Sequence, residues 1–381
     1  MIQSIENVME GRKVVVDNFD FEASVKDALH EAFKDMGNVN ILIAGATGVG
    51  KSTLINAIFQ GNMADTGQGE PVTPNTREIK KDGIPLSIFD TRGLEMADFE
   101  ATLNELKKLI IERSREVDPK KHIHVAWICI LEDSRRVQKA EQQLVEMLAE
   151  RMPVIAVITK IRSEKSDRGF KSEVQRLLPL ASNVVRIRAL PEEDDDGNIK
   201  PSLGLENIVE LTMQLVPEGQ KRAFVAAQKV DVELKKNQSH MIVSGAATSA
   251  AAIAASPIPF SDFVLIVPIQ IGMLASISAT FGLSLDESFL RTIVGVIVVG
   301  GGGTLAGRTI VSSLLKFIPG VGSIVGGTIA AATASTLTWS LGEAYIATLA
   351  MLFLQNKGEP PTSRQVADTF KQKCSQISVT Q

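Results

Sequence analysis

Residues 40–53 read NILIAGATGVGKST, an apolar run followed by a glycine-punctuated loop and then the helical pattern LINAIF. The segment Gly45-Ala46-Thr47-Gly48-Val49-Gly50-Lys51-Ser52-Thr53 fits G-x-x-x-x-G-K-S in a strand, loop, helix context. Its glycines let the backbone curl so that successive N–H groups point inward, and the helix start adds its positive dipole end at the same place. The arrangement is an anion cradle and predicts bound phosphate. Lys51 is expected to reach the β and γ phosphates, and the Ser52 hydroxyl to take a magnesium position.

The surrounding pattern supplies the fold. Short apolar runs, PLSIFD (85–90), HVAWICIL (124–131), PVIAVIT (153–159) and VVRIRAL (184–190), alternate with amphipathic stretches such as FEATLNELKKLIIERSREV and RRVQKAEQQLVEMLAE. Buried runs separated by helices predict an α/β domain with a mostly parallel sheet covered on both faces, with ligands at the carboxyl ends of its strands. One such end carries Asp90-Thr91-Arg92-Gly93. Asp90 is expected to hold magnesium through water, and the Gly93 amide to sense the γ-phosphate.

On these two motifs, residues 38 to 215 resemble the translation-factor-related P-loop GTPases, especially the Era-like group and, more distantly, the immunity-related and dynamin-like GTPases. The resemblance implies a G domain that binds GTP/GDP with Mg2+ and hydrolyses GTP to GDP and phosphate. It also implies a switch threonine that caps the metal. The segment GEPVTPNTREI offers Thr73 and Thr76, and both stay open as metal and catalytic candidates beside Lys51 and Gly93.

Base recognition departs from the family. Its guanine motif is N/T-K-x-D, and this chain has Thr159-Lys160-Ile161-Arg162. Arginine is a pure donor and cannot accept from guanine N1 and N2. Either Glu164 or Asp167 substitutes, or discrimination against adenine is relaxed, which leaves an ATPase as an alternative. Arg188-Ala189-Leu190 resembles the S-A-K/L loop, so Ala189 and Leu190 join Thr159 and Lys160 as base-site residues. Leu94 stands where Ras-like relatives carry the water-orienting glutamine, so intrinsic hydrolysis is expected to be slow. A residue supplied in trans across a homodimer of G domains is one candidate source of stimulation; Arg92, Arg135 and Arg136 are others, though each reads first as a solvated or ion-paired surface arginine.

Charge separates this half from the next. Residues 237–355 hold seven Asp, Glu, Lys or Arg in 119 positions. The expected organisation is an N-terminal helical segment (1–37), a G domain (38–216), a linking helix (217–240) and an all-α, very apolar C-terminal domain (241–381). Four weakly charged blocks, 241–261, 263–285, 292–315 and 317–342, have the length to span a bilayer or to fill a dry helical bundle. Pro257-Ile258-Pro259-Phe260-Ser261-Asp262, Phe281-Gly282-Leu283 and Gly342-Glu343-Ala344 resemble the hydrophobic domain that follows Era-like G domains in some bacterial GTPases. The expected function is coupling of nucleotide state to this domain; a membrane-embedded or membrane-remodelling structural protein with a regulatory nucleotide domain is the other class. The formal net charge is −4 and no aromatic-interleaved basic patch occurs, so nucleic acid is not an expected partner. Cys129 and Cys374 make no disulfide framework and the N-terminus lacks a signal-peptide run. The expected setting is cytoplasmic, with membrane association or insertion through residues 241–355.

Overall fold

The structure, a computed structural model, describes residues 21–34, 36–64, 69–91, 99–164, 168–193, 197–254, 262–283 and 332–376. The chain divides into two compact units, Met36–Asp231 and the described parts of Met1–Asp35 together with those of Val232–Gln381. The amino-terminal helix α1 (Phe21–Lys34) belongs to the second unit, where Ala28 and Ala32 pack against the helical core.

The first unit opens with β1 (Val39–Gly45), buried at every position, and α2 (Lys51–Ile58). The hairpin β2 (Gly69–Thr73) and β3 (Thr76–Lys80) leads to β4 (Leu86–Thr91) and α3 (Phe99–Ser114). Then come β5 (Val125–Leu131), α4 (Lys139–Ala149), β6 (Val154–Thr159), α5 (Phe170–Leu177) and β7 (Asn183–Arg186). A two-stranded ribbon, β8 (Glu192–Glu193) with β9 (Ile199–Lys200), precedes α6 (Leu205–Leu215) and α7 (Glu218–Ala227).

The main sheet has seven strands in the order β2-β3-β4-β1-β5-β6-β7. All pairings from β4 to β7 are parallel, and β2 and β3 add an antiparallel edge. Strands β1, β4, β5 and β6 are buried on both faces, which is why they read in the sequence as apolar runs rather than as alternation. The order reverses at β1, with β4 on one side and β5 on the other, so the crevice at the carboxyl end of β1 is the switch point where open α/β sheets bind ligands. Behind it, fully buried Trp127 stacks on Phe59 at 5.7 Å, with Phe224 edge-on to Phe59, and donates its indole N–H to Thr212 Oγ1 at 3.2 Å.

The expected single helix over 217–240 is corrected to two. Helix α7 stops at Ala227, and α8 (Val232–Ala254) begins five residues later. The break is made by Gln228, which is fully buried. Its Oε1 accepts the N–H groups of Val230 and Asp231, both at 2.8 Å, so those donors do not need helical carbonyls. Meanwhile its backbone bridges to Phe59, Lys229 N–H donates to Ile58 O at 2.8 Å, and Gln60 N–H donates to Ala227 O at 3.1 Å. Tertiary hydrogen bonds outcompete the propensity of an otherwise unbroken helical pattern.

In the second unit, α8 packs with α9 (Asp262–Thr280) and α10 (Ala332–Gln355), followed by α11 (Ser363–Gln376). Ile271, Leu274, Phe281, Tyr345, Leu349 and Phe353 fill its core. Gly342 lets α10 approach α8 closely, since a Cβ there would collide with Val243. Polar groups inside this apolar bundle are paired: Lys235 Nζ donates to Thr280 O at 3.0 Å over the Phe353 ring, Ser278 and Tyr345 hydroxyls meet at 2.6 Å, and His240 Nδ1 meets Glu343 at 2.8 Å. Among the described residues no helix is long and apolar enough to cross a membrane. The block 292–315 and most of 317–342 lie outside the described residues.

Candidate nucleotide site

The loop after β1 has the curl that the sequence predicts. Gly45 is at φ +149°, and a Cβ on it would stand 2.5 Å from the Cys129 carbonyl oxygen on neighbouring β5, so glycine is required there. Gly48 and Gly50 also have positive φ, and Val49 N–H closes a turn onto Ala46 O at 3.3 Å. Gly50 caps α2 without a side-chain hydrogen bond, and no acidic residue occupies the first turn, so the amides of Lys51, Ser52 and Thr53 keep their anion-binding potential. Thr47, Gly48, Ser52 and Thr53 are exposed while Val49 is buried. Lys51 Nζ is held over the loop by the Gly45 and Ala46 carbonyls, at 2.9 and 3.3 Å.

Asp90 lies on β4, the parallel neighbour of β1, in register with Ile43. Phosphate loop and carboxylate therefore leave the sheet side by side. Asp90 Oδ2 accepts from Arg77 at 3.2 and 3.3 Å, whereas its buried Oδ1 has no hydrogen-bond partner among the described residues. Burial pushes the carboxyl up from its ordinary range, opposed by the charges of Lys51 and Arg77 and by the Arg77 hydrogen bond. An unpartnered buried acceptor beside a phosphate loop fits a cation, with Ser52 and Asp90 as the residues that would hold it.

Thr73 and Thr76 face each other across the β2–β3 hairpin. Thr76 is buried and sits opposite Thr91 of β4, while half-buried Thr73 accepts the Asn75 N–H at 3.3 Å. Gly93, with Arg92 and Leu94, lies outside the described residues, as does Asp167.

On the base side, the Thr159 hydroxyl lies 2.7 Å from Val49 O and 3.2 Å from Ile130 O, tying the end of β6 to the phosphate loop. Lys160, at φ +55°, lies against Gly50, whose added Cβ would stand 3.7 Å from Lys160 Cε. Ala189 and the exposed Leu190 follow β7, the parallel neighbour of β6. The floor is built by Arg188, from the loop already singled out in the sequence, and by three residues that sequence reasoning did not place here, Glu132, Asp133 and Arg186. Arg188, 6% exposed, donates to the carbonyls of Ile161 (3.0 Å), Arg162 (3.3 Å) and Pro201 (2.8 Å). Glu132 accepts from the Arg162 N–H at 3.0 Å and from Arg186 at 2.7 Å, and Asp133 accepts from the Arg162 guanidinium at 2.7 Å. The signal for them was an acidic pair closing one parallel strand and arginines closing the strands beyond it. Glu164 contributes its carbonyl to Arg186 at 3.3 Å, and Arg135 stacks over Phe170.

A cleft of about 350 Å³ opens at the opposite ends of β1 and β4, lined by Asn38, Lys80, Lys81, Arg113 and Lys121 among others. Its cations are committed: Arg113 and Lys80 to Glu78, Lys121 to Glu116 and Lys81 to Gly61 O. The candidate site lies at the other end of the sheet.

Residues 40–160 match the family described as 50S ribosome-binding GTPase, and residues 219–375 match a domain of unknown function. The tRNA modification GTPase MnmE of Alkaliphilus metalliredigens is 25% identical over 54% of this chain and 41% of its own length. Septin-10 of Pongo abelii is 27% identical over 47% of this chain and 43% of its own. The chain thus spans less than half the length of these curated relatives. Among solved structures, Toc33 from Arabidopsis thaliana in complex with Mg2+ and GMPPNP covers 51% of this chain and 92% of its own, at 21% identity and a TM-score of 0.31, too low to carry an inference. With the loop, Asp90 and the sheet order in place, the amino-terminal unit has the fold of a P-loop G domain, and its residues 40–160 match a GTPase family whose cofactors are GTP or GDP and Mg2+.

Proposed function

We propose that the whole chain is a slow Mg2+-dependent GTPase in which nucleotide state is coupled to the helical domain. The observation that carries this reading is the pairing of an uncapped, glycine-curled helix start with a buried carboxylate oxygen on the adjacent parallel strand. In this account the amides from Gly48 to Thr53 and the Lys51 ammonium bind the triphosphate. The Ser52 hydroxyl and Asp90 hold the metal site, with Thr73 or Thr76 completing it. Mg2+, when bound, neutralises charge on the β and γ phosphates. Thr159, Lys160, Ala189 and Leu190 hold the base, and Gly93 senses the γ-phosphate. Leu94 has no group to orient water, which supports slow turnover and a stimulating residue from a second G domain.

Coupling has a physical route within the first unit. Helix α2 begins at the phosphate loop, and its far end is hydrogen-bonded through Ile58, Phe59 and Gln60 to residues 227–229, just before the chain enters α8. The sparse charge of residues 237–355, with Met241 and Leu354 exposed, supports a membrane surface as the place where the helical domain acts. The test is nucleotide binding by wild type and Lys51→Ala: the variant is expected to lose GTP affinity at least tenfold, and equal affinities would defeat the reading. Flotation with anionic vesicles in GTP and GDP tests the membrane part, which fails if neither state floats.

A further inference from the structure

The loop after β6 ends in a donor where guanine needs an acceptor, and the structure provides an acceptor from elsewhere. Strands β5 and β6 run parallel with Leu131 opposite Thr159, so the two residues after β5 emerge beside Lys160, Ile161 and Arg162. Those residues are Glu132 and Asp133. They differ in what remains of them. Glu132, 7% exposed, spends one oxygen on Arg186 and the other on the Arg162 N–H. Asp133 is half-exposed, with its Oδ2 held at 2.7 Å by the Arg162 guanidinium, and no described residue hydrogen-bonds its Oδ1.

The support beneath this carboxylate is rigid. Arg188 and Arg186 fix the backbone carbonyls of residues 161 to 163, and Arg162 in turn fixes Asp133. β5 lies between β1, which carries the phosphate loop, and β6, which carries the base loop. A carboxylate at its end therefore emerges between the phosphate loop and the loop after β6, to which the base is assigned above. Guanine presents two neighbouring donors, N1–H and the N2 amino group; adenine presents an acceptor at N1 and only a C–H beside it. An anchored carboxylate, with about four lone-pair sites of which Arg162 uses one, suits the first pattern and repels the second.

We propose that Asp133, held by Arg162, is the carboxylate that reads the N1–H and N2 edge of guanine, so that the base-reading acid comes from the end of β5 instead of the loop after β6. The proposal rests on the GTPase reading above and specifies its base selectivity.

The test is competition of GTP, ITP and ATP against a labelled guanine nucleotide, on the full chain with Mg2+. Wild type is expected to prefer GTP to ITP by roughly tenfold, because inosine lacks the N2 donor, and GTP to ATP by roughly a hundredfold. Asp133→Ala is expected to bring all three within about threefold while still binding triphosphate, with thermal unfolding unchanged because the side chain is half-exposed. Arg162→Ala, which frees Asp133 without removing it, is expected to lose part of the preference, about three- to tenfold. An Asp133→Ala protein that keeps wild-type selectivity overturns the proposal, and so does wild type without base preference. A sharper preference for guanine in Arg162→Ala overturns it too, since Arg162 itself would then face the base. Lys51→Ala separates the levels: a loss of all three nucleotides keeps the GTPase reading in place whatever Asp133 does.

Discussion

Thr159 joins the phosphate loop to the end of β6 through one hydroxyl, and its replacement by valine isolates that link. Thr159 is 3% exposed, and its Oγ1 lies 2.7 Å from Val49 O and 3.2 Å from Ile130 O. A hydroxyl has a single proton, so only the shorter contact is a full hydrogen bond, directed to the phosphate loop. Valine keeps the shape and branching but leaves the Val49 carbonyl buried without its donor, at a cost of about 1–3 kcal/mol. A methyl group also cannot sit 2.7 Å from a carbonyl oxygen, so the loop has to move away from β6. For a unit the size of Met36–Asp231, about 2 kcal/mol lowers the midpoint of unfolding by about 4–8 °C. Displacement of the loop is expected to weaken GTP binding about tenfold, equivalent to about 1.4 kcal/mol. Thermal unfolding and equilibrium binding of wild type, Thr159→Val and Thr159→Ser measure both effects, with serine expected to recover most of each. A valine variant that melts and binds GTP like wild type would refute the claim that this hydroxyl sets the register between phosphate and base loops.

Two further perturbations test the electrostatics. Asp90→Asn removes a buried charge together with its Arg77 ion pair, two effects that offset, so the variant is expected to unfold within about 1 kcal/mol of wild type in chelator. Its GTP affinity should no longer respond to Mg2+, measured by titration with and without the metal; a retained wild-type Mg2+ response contradicts the metal assignment. Glu141, buried at the start of α4, is pushed up by burial to about 7 from 4.5, with the Gln138 N–H bond acting the other way. The folded state therefore binds that proton more tightly than the unfolded chain, and this contribution to stability is present below about pH 4.5 and lost as pH rises through about 7. Glu141→Gln, whose carbonyl still accepts from Gln138, is expected to flatten that part of the profile and to gain up to about 3 kcal/mol at pH 8. Denaturant unfolding from pH 4 to 8 checks it, and parallel profiles for the two proteins would sink the assignment.

The parts of the site that were legible in the sequence are those whose physics is local. The loop from Gly45 to Thr53 is written in consecutive residues, because curling the backbone and starting a helix are short-range requirements. Strands β1, β4, β5 and β6 announce themselves as apolar runs, because both their faces are covered. Strand β2 does not: GEPVT carries a proline and a glutamate and lies at the sheet edge, where neither is costly, so it read as part of a loop. The Asp133–Arg162 pair was also hidden, for a different reason. Its members are 29 residues apart and meet only because β5 and β6 are parallel and in a particular register.

Gln228 brings these two kinds of information together. Local propensity favours one helix from Glu218 through the lysines beyond it, and no glycine or proline interrupts residues 220–240. The chain nevertheless leaves the helix, because the C-terminal end of α2 offers Ile58 O, Phe59 and the Gln60 N–H as better partners for residues 227–229. The same eight-residue helix presents its other end to the phosphate loop, about 12 Å away at 1.5 Å per residue. Under the proposed coupling, a displacement of that loop would act through this helix, whose far end is hydrogen-bonded to the chain three residues before α8 begins. The break in the helix is thus set by a ladder of main-chain bonds that no motif in the sequence encodes, and the proposed coupling would run through that ladder.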